Sequence, residues 1–189
     1  MRIVLASHNA HKAREFARLL AGWEVEPYDG NLPPETGETF RDNALLKARA
    51  VHRSIGGGTW VLADDSGIEA AALGGRPGVR SARFAGEHAT DEENLAKLLD
   101  ALADLEDRSV AYVAELVAIA PDGRELHARG ELRGTLAEHP RGSGGFGYDP
   151  AFVPEGERRT VGEMAAEEKD AISHRARAAR ELAGLLPAG

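Results

Sequence analysis

Two short apolar segments that end abruptly in polar residues constrain the fold more than any other feature of the sequence. Residues 2–6 (RIVLA) are followed by SHN, and residues 60–63 (WVLA) are followed by Asp64-Asp65-Ser66-Gly67. Short apolar runs bounded by polar residues are typical of buried strands. We therefore predict a strand at each segment, the second one ending at Asp64.

Four other segments have the spacing of amphipathic helices, in which apolar residues recur every three or four positions. Two of them begin at Thr39 and Thr90, where an acidic residue three positions later resembles a capping box. The last helix is predicted from about residue 173 to 186. The apolar stripes of the first three are Ala13, Phe16, Ala17 and Leu20; Ala44, Ala48, Val51 and Ile55; and Leu95, Leu98, Leu99 and Leu102.

Residues 109–120 have the pattern of a long strand, and Pro121-Asp122-Gly123 is a turn signal. A return strand to about residue 132 would complete a hairpin. Helices mixed with at least one antiparallel pair predict a mixed α/β fold and argue against simple doubly wound alternation. The length of 189 residues fits a single domain over 1–189.

Composition limits the kinds of partner and site. The 23 basic and 31 acidic residues give a net charge of −8, which disfavours a nucleic-acid polymer as partner but not one small nucleotide. The absence of cysteine excludes disulfides and thiolate metal sites. Since no segment has the ~20 apolar residues of a membrane span and no signal-peptide pattern is present, we expect a cytoplasmic protein without membrane contact.

The turn SHNAHK at 7–12 lies between the first strand and the first helix. Backbone N–H groups at a helix start attract anions, and Lys12 adds a full positive charge. Alternatively, Ser7 or Asn9 only caps the helix and Lys12 is a solvated surface residue.

The segment ETGETFRDNALLKA at 35–48 places Asn43 and Lys47 four positions apart, hence on one helix face, with Glu35 in the preceding turn. This polar pair could line a cleft, or the acidic residues could merely stabilise the start of the helix.

The segment ADDSG at 63–67 has two adjacent carboxylates after an apolar run. Like charges are costly to bury together, and a divalent cation with oxygen ligands removes that cost. Strand alternation directs Asp64 and Asp65 to opposite sides, so both need not bind one ion. The alternative is a polar turn with one capping aspartate.

The loop GSGGFGYDP at 142–150 is dense in glycine, so its backbone could approach a ligand while Phe146 or Tyr148 stacks on a base. The two aromatic residues could equally be tucked into the core. Farther along, Lys169, His174 and Arg175 would cluster near the start of the last helix as an anion site or lie on an exposed basic face. Taken together, the five segments indicate a site for a metal–nucleoside triphosphate.

The same segments resemble the purine nucleoside triphosphate pyrophosphatases that act on deaminated bases, the inosine triphosphate pyrophosphatase or XTP/dITP diphosphatase family. The resemblance runs in order from residue 7 to about 178, and ADDSG, GFGYDP and ISHR carry most of its specificity. Two departures are His8, where many members have Gly, and Gly162, where Ala is common.

The resemblance implies an elongated two-lobed fold with a central mixed sheet, flanking helices and a nucleotide cleft between the lobes, usually in a homodimer. It implies Mg2+ as cofactor, bound by Glu35 and Asp65, with Asp65 also as the proton acceptor in catalysis. Lys47 would lie near phosphate, and Asn43 also matches a motif position. The residues implied to hold the triphosphate are Ser7, His8, Asn9, Ala10, His11 and Lys12, with Lys169 as a second lysine for phosphate. The remaining substrate-binding residues it implies are Ser66, Phe146, Gly147, Tyr148, Asp149, His174 and Arg175.

The implied reaction is attack of water on the α-phosphorus of inosine, deoxyinosine or xanthosine triphosphate, with release of pyrophosphate and removal of deaminated purines from the nucleotide pool. Donors from residues 173–175 would donate hydrogen bonds to the 6-oxo group of the base, whereas the 6-amino group of adenine would place donor against donor. Three other functions stay open: a pyrimidine-directed pyrophosphatase, a nucleotide sensor without turnover, and a phosphatase that forms an aspartyl phosphate.

Overall fold

A computed structural model describes residues 1–187 of the chain. Its strands are β1 (Arg2–Leu5), β2 (Glu24–Pro27), β3 (Trp60–Ala70), β4 (Ser109–Ile119), β5 (Glu125–Leu136) and β6 (Phe152–Pro154). Its helices are α1 (Ala10–Leu19), α2 (Phe40–Ser54), α3 (Asp91–Ala101), α4 (Ala166–Ile172) and α5 (His174–Ala183), with short 3₁₀ turns at Ala71–Leu73, Gly78–Arg83 and Val161–Glu163.

The six strands form one sheet in the order β2-β1-β3-β4-β5-β6. Strand β1 is parallel to both β2 and β3, with Ile3 opposite Val25 on one side and Trp60 on the other. Strand β6 is antiparallel to β5. A sheet that combines both orientations with flanking helices confirms the predicted mixed α/β class.

The helix starts follow the sequence signals. The Thr39 hydroxyl accepts a hydrogen bond from the Asp42 N–H at the start of α2, and Thr90 forms a complete capping box with Glu93 at the start of α3. The predicted last helix, from about residue 173 to 186, corresponds to α5, which begins at His174 and ends at Ala183. The short helix α4 before it was not predicted.

One strand boundary was predicted wrongly, because β3 does not end at Asp64 but continues through Asp64-Asp65-Ser66-Gly67 to Ala70. Basic side chains neutralise both aspartates, so the polar pair remains inside the strand. Gly67 accommodates the Ser81 hydroxyl, because a Cβ on residue 67 would collide with that hydroxyl. Neither contact is visible from local sequence.

The chain divides into two compact units. Unit 1 comprises residues 1–65, 114–130 and 175–189, and unit 2 comprises residues 66–113 and 131–174. The prediction of one domain over 1–189 stays a prediction. No helix within residues 1–187 is both long and apolar enough to cross a membrane.

Each unit has its own apolar core. In unit 1 the core packs around Phe16, Leu62, Leu116 and Leu182, with a second cluster under α2 around Val51. In unit 2 the core packs around Ile68, Leu98, Leu136 and Phe152. These cores fix the strands and helices whose ends carry the polar residues described next.

Candidate active site

The start of α1 in unit 1 is held by Asn9. Its Oδ1 atom accepts hydrogen bonds from the N–H groups of His11 at 2.9 Å and Lys12 at 3.2 Å. The Asn9 N–H donates to the Ser7 hydroxyl at 3.1 Å, and the exposed His8 ring contacts the Gly30 carbonyl at 2.8 Å. The capping interpretation of Asn9 is therefore confirmed, and Ala10 is the first residue of the helix.

Lys12 is not the solvated surface residue that the alternative interpretation predicted. Its Nζ lies 2.5 Å from Asp64 Oδ2, and its side chain is only 15% exposed. Arg175 approaches the same Asp64 oxygen at 3.6 Å and donates to Glu15 Oε2 at 3.1 Å. Lys12, Asp64, Arg175 and Glu15 thus form a row of alternating charges, and Asp64, Glu15 and Arg175 are buried.

Asp65 has a different set of partners, on the other side of β3. The Lys47 Nζ donates to Glu35 Oε1 at 2.6 Å, to the Asp64 carbonyl at 2.8 Å and to Asp65 Oδ1 at 3.3 Å. Asn43 donates to Asp65 Oδ2 at 3.1 Å, and its own Oδ1 accepts from the Gly37 N–H at 2.7 Å. The predicted opposite orientation of Asp64 and Asp65 is confirmed by these separate partners.

The two aspartates differ in their affinity for protons. Burial acts to raise the pKa of Asp64, but Lys12 and Arg175 outweigh it and hold that pKa well below its usual range. Burial raises the pKa of Asp65 against the opposing charge of Lys47, and Glu35 raises it further. Asp64 is therefore an anion at neutral pH, whereas Asp65 is the better proton acceptor of the pair.

The two lysines also differ. Burial lowers the pKa of Lys12 below its ordinary value, although Asp64 acts in the opposite direction. Burial acts on Lys47 in the same sense, but the charges of Asp65 and Glu35 hold the pKa of Lys47 above its ordinary value. Lys47 therefore remains a cation between the two carboxylates.

In unit 2 the glycine-rich loop is organised by Asp149. Its Oδ2 atom accepts from the Phe146 N–H at 2.9 Å and from Lys169 Nζ at 2.8 Å, and its Oδ1 atom accepts from the Tyr112 hydroxyl at 3.0 Å. The Lys169 ammonium also lies 4.6 Å from the centre of the Phe146 ring, a cation–π contact. Asp149 is 2% exposed, whereas Phe146 is only half-buried.

Tyr148 and Tyr112 of this unit are buried. Tyr148 is 5% exposed and donates its hydroxyl to the Ser81 carbonyl at 2.7 Å, which confirms the core interpretation for this residue. Burial raises the pKa of Tyr148 well above its ordinary value, so the hydroxyl stays protonated. Gly147 donates its N–H to Asp91 Oδ2 at 2.9 Å, and His174 stacks on Tyr112.

The residues that the sequence predicted for the site therefore fall into two groups, one in each unit. Half-buried Ser66 directly follows Asp65 on β3, and α5 begins with His174 and Arg175. Unit 1 contains Ser7, His8, Asn9, Ala10, His11, Lys12, Glu35, Asn43, Lys47, Asp65 and Arg175; unit 2 contains Ser66, Phe146, Gly147, Tyr148, Asp149, Lys169 and His174.

Sequence reasoning missed Glu15 and Tyr112. Glu15 is a charged residue beside the apolar stripe of α1, next to Phe16, and its 3% exposure depends on a partner 160 residues away. A carboxylate next to an apolar stripe was the available signal. Tyr112 lies within the predicted strand 109–120 and belongs to no polar motif, so the sequence did not indicate that its hydroxyl donates to Asp149.

Comparison with known proteins extends the similarity over nearly the whole chain. The Ham1 family model matches residues 3–185. A dITP/XTP pyrophosphatase from Symbiobacterium thermophilum is 50% identical over 193 residues, with 99% of this chain and 95% of the relative covered. A dITP/XTP pyrophosphatase from Deinococcus radiodurans is 48% identical over 190 residues, with 99% and 92% covered. The solved structure of a HAM1 protein from Coxiella burnetii has a TM-score of 0.88 at 40% identity and covers 98% of each chain.

Proposed function

The chain belongs to the Ham1 family, and on that premise we propose that it hydrolyses deaminated purine nucleoside triphosphates to the monophosphate and pyrophosphate. The substrates would be inosine, deoxyinosine and xanthosine triphosphates and the deoxy form of the last, and the reaction would remove deaminated purines from the nucleotide pool. The observation that carries this proposal is the pair of adjacent aspartates on β3, each paired with its own lysine.

The donor set in unit 1 fits magnesium as the cofactor. Glu35 and Asp65 supply carboxylate oxygens that already share one cation, the Lys47 ammonium. No group of three or more His, Asp or Glu side chains suited to a metal lies within residues 1–187. Magnesium is commonly held by one or two carboxylates, with waters and substrate phosphates completing its shell. Bound at Glu35 and Asp65, it would neutralise phosphate charge and acidify a water.

Asp65 would accept the proton of the attacking water. Burial raises its pKa whereas that of Asp64 is lowered. Magnesium bound at Asp65 would lower the pKa of Asp65 again, so the acidification of the water by the metal would supply much of the driving force. Asn43 and Lys47 hold the two Asp65 oxygens in separate directions. Proton acceptance at a fixed oxygen is efficient because no reorganisation is needed during the reaction.

Lys12 and Lys47 would bind the phosphates. Asp64 keeps Lys12 in place as its counter-ion, so the ammonium is preorganised for an anion and does not have to be immobilised on binding. Since an ammonium has three donor hydrogens, Lys12 can hold Asp64 and a phosphate oxygen together. This arrangement suits the stabilisation of the charge that develops on departing pyrophosphate.

Base recognition is assigned to the residues of unit 2 and to Arg175. The half-buried Phe146 ring, with Lys169 against its face, offers a surface for stacking. N–H groups of His174 and Arg175 would donate hydrogen bonds to the 6-oxo group of hypoxanthine or xanthine. The 6-amino group of adenine would instead place donor against donor and leave buried polar groups without acceptors.

A panel of triphosphates with and without magnesium tests this function. We expect kcat/KM for inosine and xanthosine triphosphates to exceed that for adenosine triphosphate at least about 100-fold, because a site built to pair a polar group discriminates by large factors. The measurement is pyrophosphate release. Comparable values for the purines, a preference for pyrimidines or the absence of metal-stimulated hydrolysis would contradict the proposal.

The resemblance also supports a homodimer that acts in the cytoplasm, and we include both in the proposal. Light scattering on the protein used for the substrate panel tests the dimer, and a monomer mass at assay concentration would contradict it.

A further inference from the structure

Tyr112 of β4 contacts two of the residues assigned to substrate. Its ring lies between two others, with centroids 4.4 Å from Phe152 at an interplanar angle of 24° and 4.7 Å from His174 at 14°. Its hydroxyl donates to Asp149 Oδ1 at 3.0 Å. Tyr112 is only 7% exposed, so it supports these residues from within the core.

Each contact fixes a different element. The near-parallel stack restrains the plane of His174, the first residue of α5. The hydroxyl restrains the Asp149 carboxylate, whose other oxygen accepts from Phe146 and Lys169. A carboxylate held at both oxygens cannot rotate, so the Phe146 backbone and the Lys169 ammonium keep a fixed geometry.

We propose that Tyr112 is a positioning residue that sets His174 through its ring and the glycine-rich loop through its hydroxyl. The inference rests on the proposed function, because only that function assigns His174 and the glycine-rich loop to binding of the base. Tyr112 itself does not touch substrate.

The two contacts can be separated by substitution. Tyr112→Phe keeps the stack on His174 and removes only the donor to Asp149 Oδ1, leaving a buried acceptor without its partner. Tyr112→Leu removes both the stack and the donor while retaining an apolar side chain in the core. Tyr28→Phe is the matched control, because it removes one tyrosine hydroxyl bonded to Ser54 at 2.8 Å in unit 1.

The first measurement is independent of activity. In a proton NMR spectrum the His174 ring signals, identified among the seven histidines by comparison with His174→Gln, are shifted by the stacked Tyr112 ring. We expect these signals to keep their positions in Tyr112→Phe and to move in Tyr112→Leu. Unchanged His174 signals in the folded leucine variant would overturn the proposal.

The second measurement is kinetic, with inosine triphosphate and magnesium. We expect Tyr112→Phe to raise KM about threefold to tenfold with kcat within about twofold, which is the size of effect expected for the loss of one ordinary intramolecular hydrogen bond. Tyr112→Leu should raise KM more, because an aromatic stack contributes a further factor of about two to ten. The control Tyr28→Phe should leave both constants unchanged.

The outcomes separate the inference from the function on which it rests. A wild-type KM in Tyr112→Phe would overturn the role of the hydroxyl even if the leucine variant fails to fold. A fall of the apparent kcat with unchanged KM in both Tyr112 variants would indicate loss of folded protein and overturn positioning. Absence of pyrophosphate release by the wild-type protein would contradict the proposed function, while the NMR comparison would still decide what Tyr112 positions.

Discussion

At the scale of single residues, the neighbours Asp64 and Asp65 have opposite chemical properties because they face different partners. Asp64 forms ion pairs with Lys12 and Arg175, which lower its pKa and hold it as an anion. Burial instead raises the pKa of Asp65. Asp64, which is suited to act as a counter-ion, and Asp65, which is suited to proton transfer, are therefore neighbours on one strand.

This difference predicts the effect of Asp65→Asn. The substitution keeps the size of the side chain and removes the proton acceptor, so kcat should fall at least about 100-fold at saturating magnesium. Pyrophosphate release from inosine triphosphate is the measurement. The control is Asp104→Asn in the exposed loop between α3 and β4, which should retain full activity. Near-normal turnover by the Asp65 variant would show that Asp65 is not the base.

Sequence reasoning found the chemistry of individual residues better than their partners. Alternation along β3 sufficed to separate Asp64 from Asp65, because it is a local property of a strand. Lys12, by contrast, could be described as a surface lysine or as an anion ligand until Asp64 was placed beside it. Glu15 and Tyr112 were missed because their partners come from remote parts of the chain.

At the scale of elements, local signals predicted how helices begin but not how far strands extend. Capping at Thr39 and Thr90 depends on residues three positions apart, and both caps are present. Strand β3 extends past the predicted end because lysines and Ser81, supplied by other elements, make a polar and glycine-containing segment tolerable in a sheet. Tertiary contacts outweighed the local preference for a turn.

The glycine-rich loop gives an element-scale prediction. Gly145 and Gly147 both have positive φ, 74° and 62°. A Cβ at Gly145 would collide with the Asp149 carboxylate, whereas a Cβ at Gly147 would meet open space. Gly147→Ala should therefore cost only the backbone strain, about 1–2 kcal/mol of unfolding free energy. Gly145→Ala should cost more and also raise KM about tenfold or more, because it displaces Asp149.

Urea unfolding and steady-state kinetics on the two alanine variants check this difference. Equal stability and equal KM for the pair would mean that Asp149 does not organise the loop.

At the scale of the whole molecule, the mixed α/β class could be predicted, whereas β2, β6 and α4 and the boundaries between the two units could not. Apolar periodicity indicated a mixed α/β fold because each element must bury one face. Both units are assembled from separate stretches of the chain. The chain crosses from one unit to the other inside β3, β4, β5 and α5, at residues 65–66, 113–114, 130–131 and 174–175. Such boundaries carry no linker composition, so the sequence has no mark of them.

The stability of the whole fold should depend on pH through Asp64. Because its pKa in the folded protein is below the unfolded value of about 3.9, its stabilising contribution is complete above that value and is lost as the pH falls toward the folded pKa. Asp64→Asn leaves Lys12 and Arg175 without their shared carboxylate and should lower the unfolding free energy by about 3–5 kcal/mol at about pH 7.

Urea unfolding of the wild type and this variant between about pH 7 and pH 3 measures that contribution, because histidine titration is common to both and cancels in their difference. The difference in unfolding free energy should be constant down to about pH 5 and shrink below about pH 4. In that range Asp64 becomes protonated in the unfolded wild type but stays ionised in the folded protein. Asp104→Asn, in an exposed loop, should show a difference near zero throughout. If the difference in unfolding free energy between the wild type and Asp64→Asn stays constant or widens toward low pH, the folded protein does not hold Asp64 as an anion. Asp64 would then not be the counter-ion of Lys12.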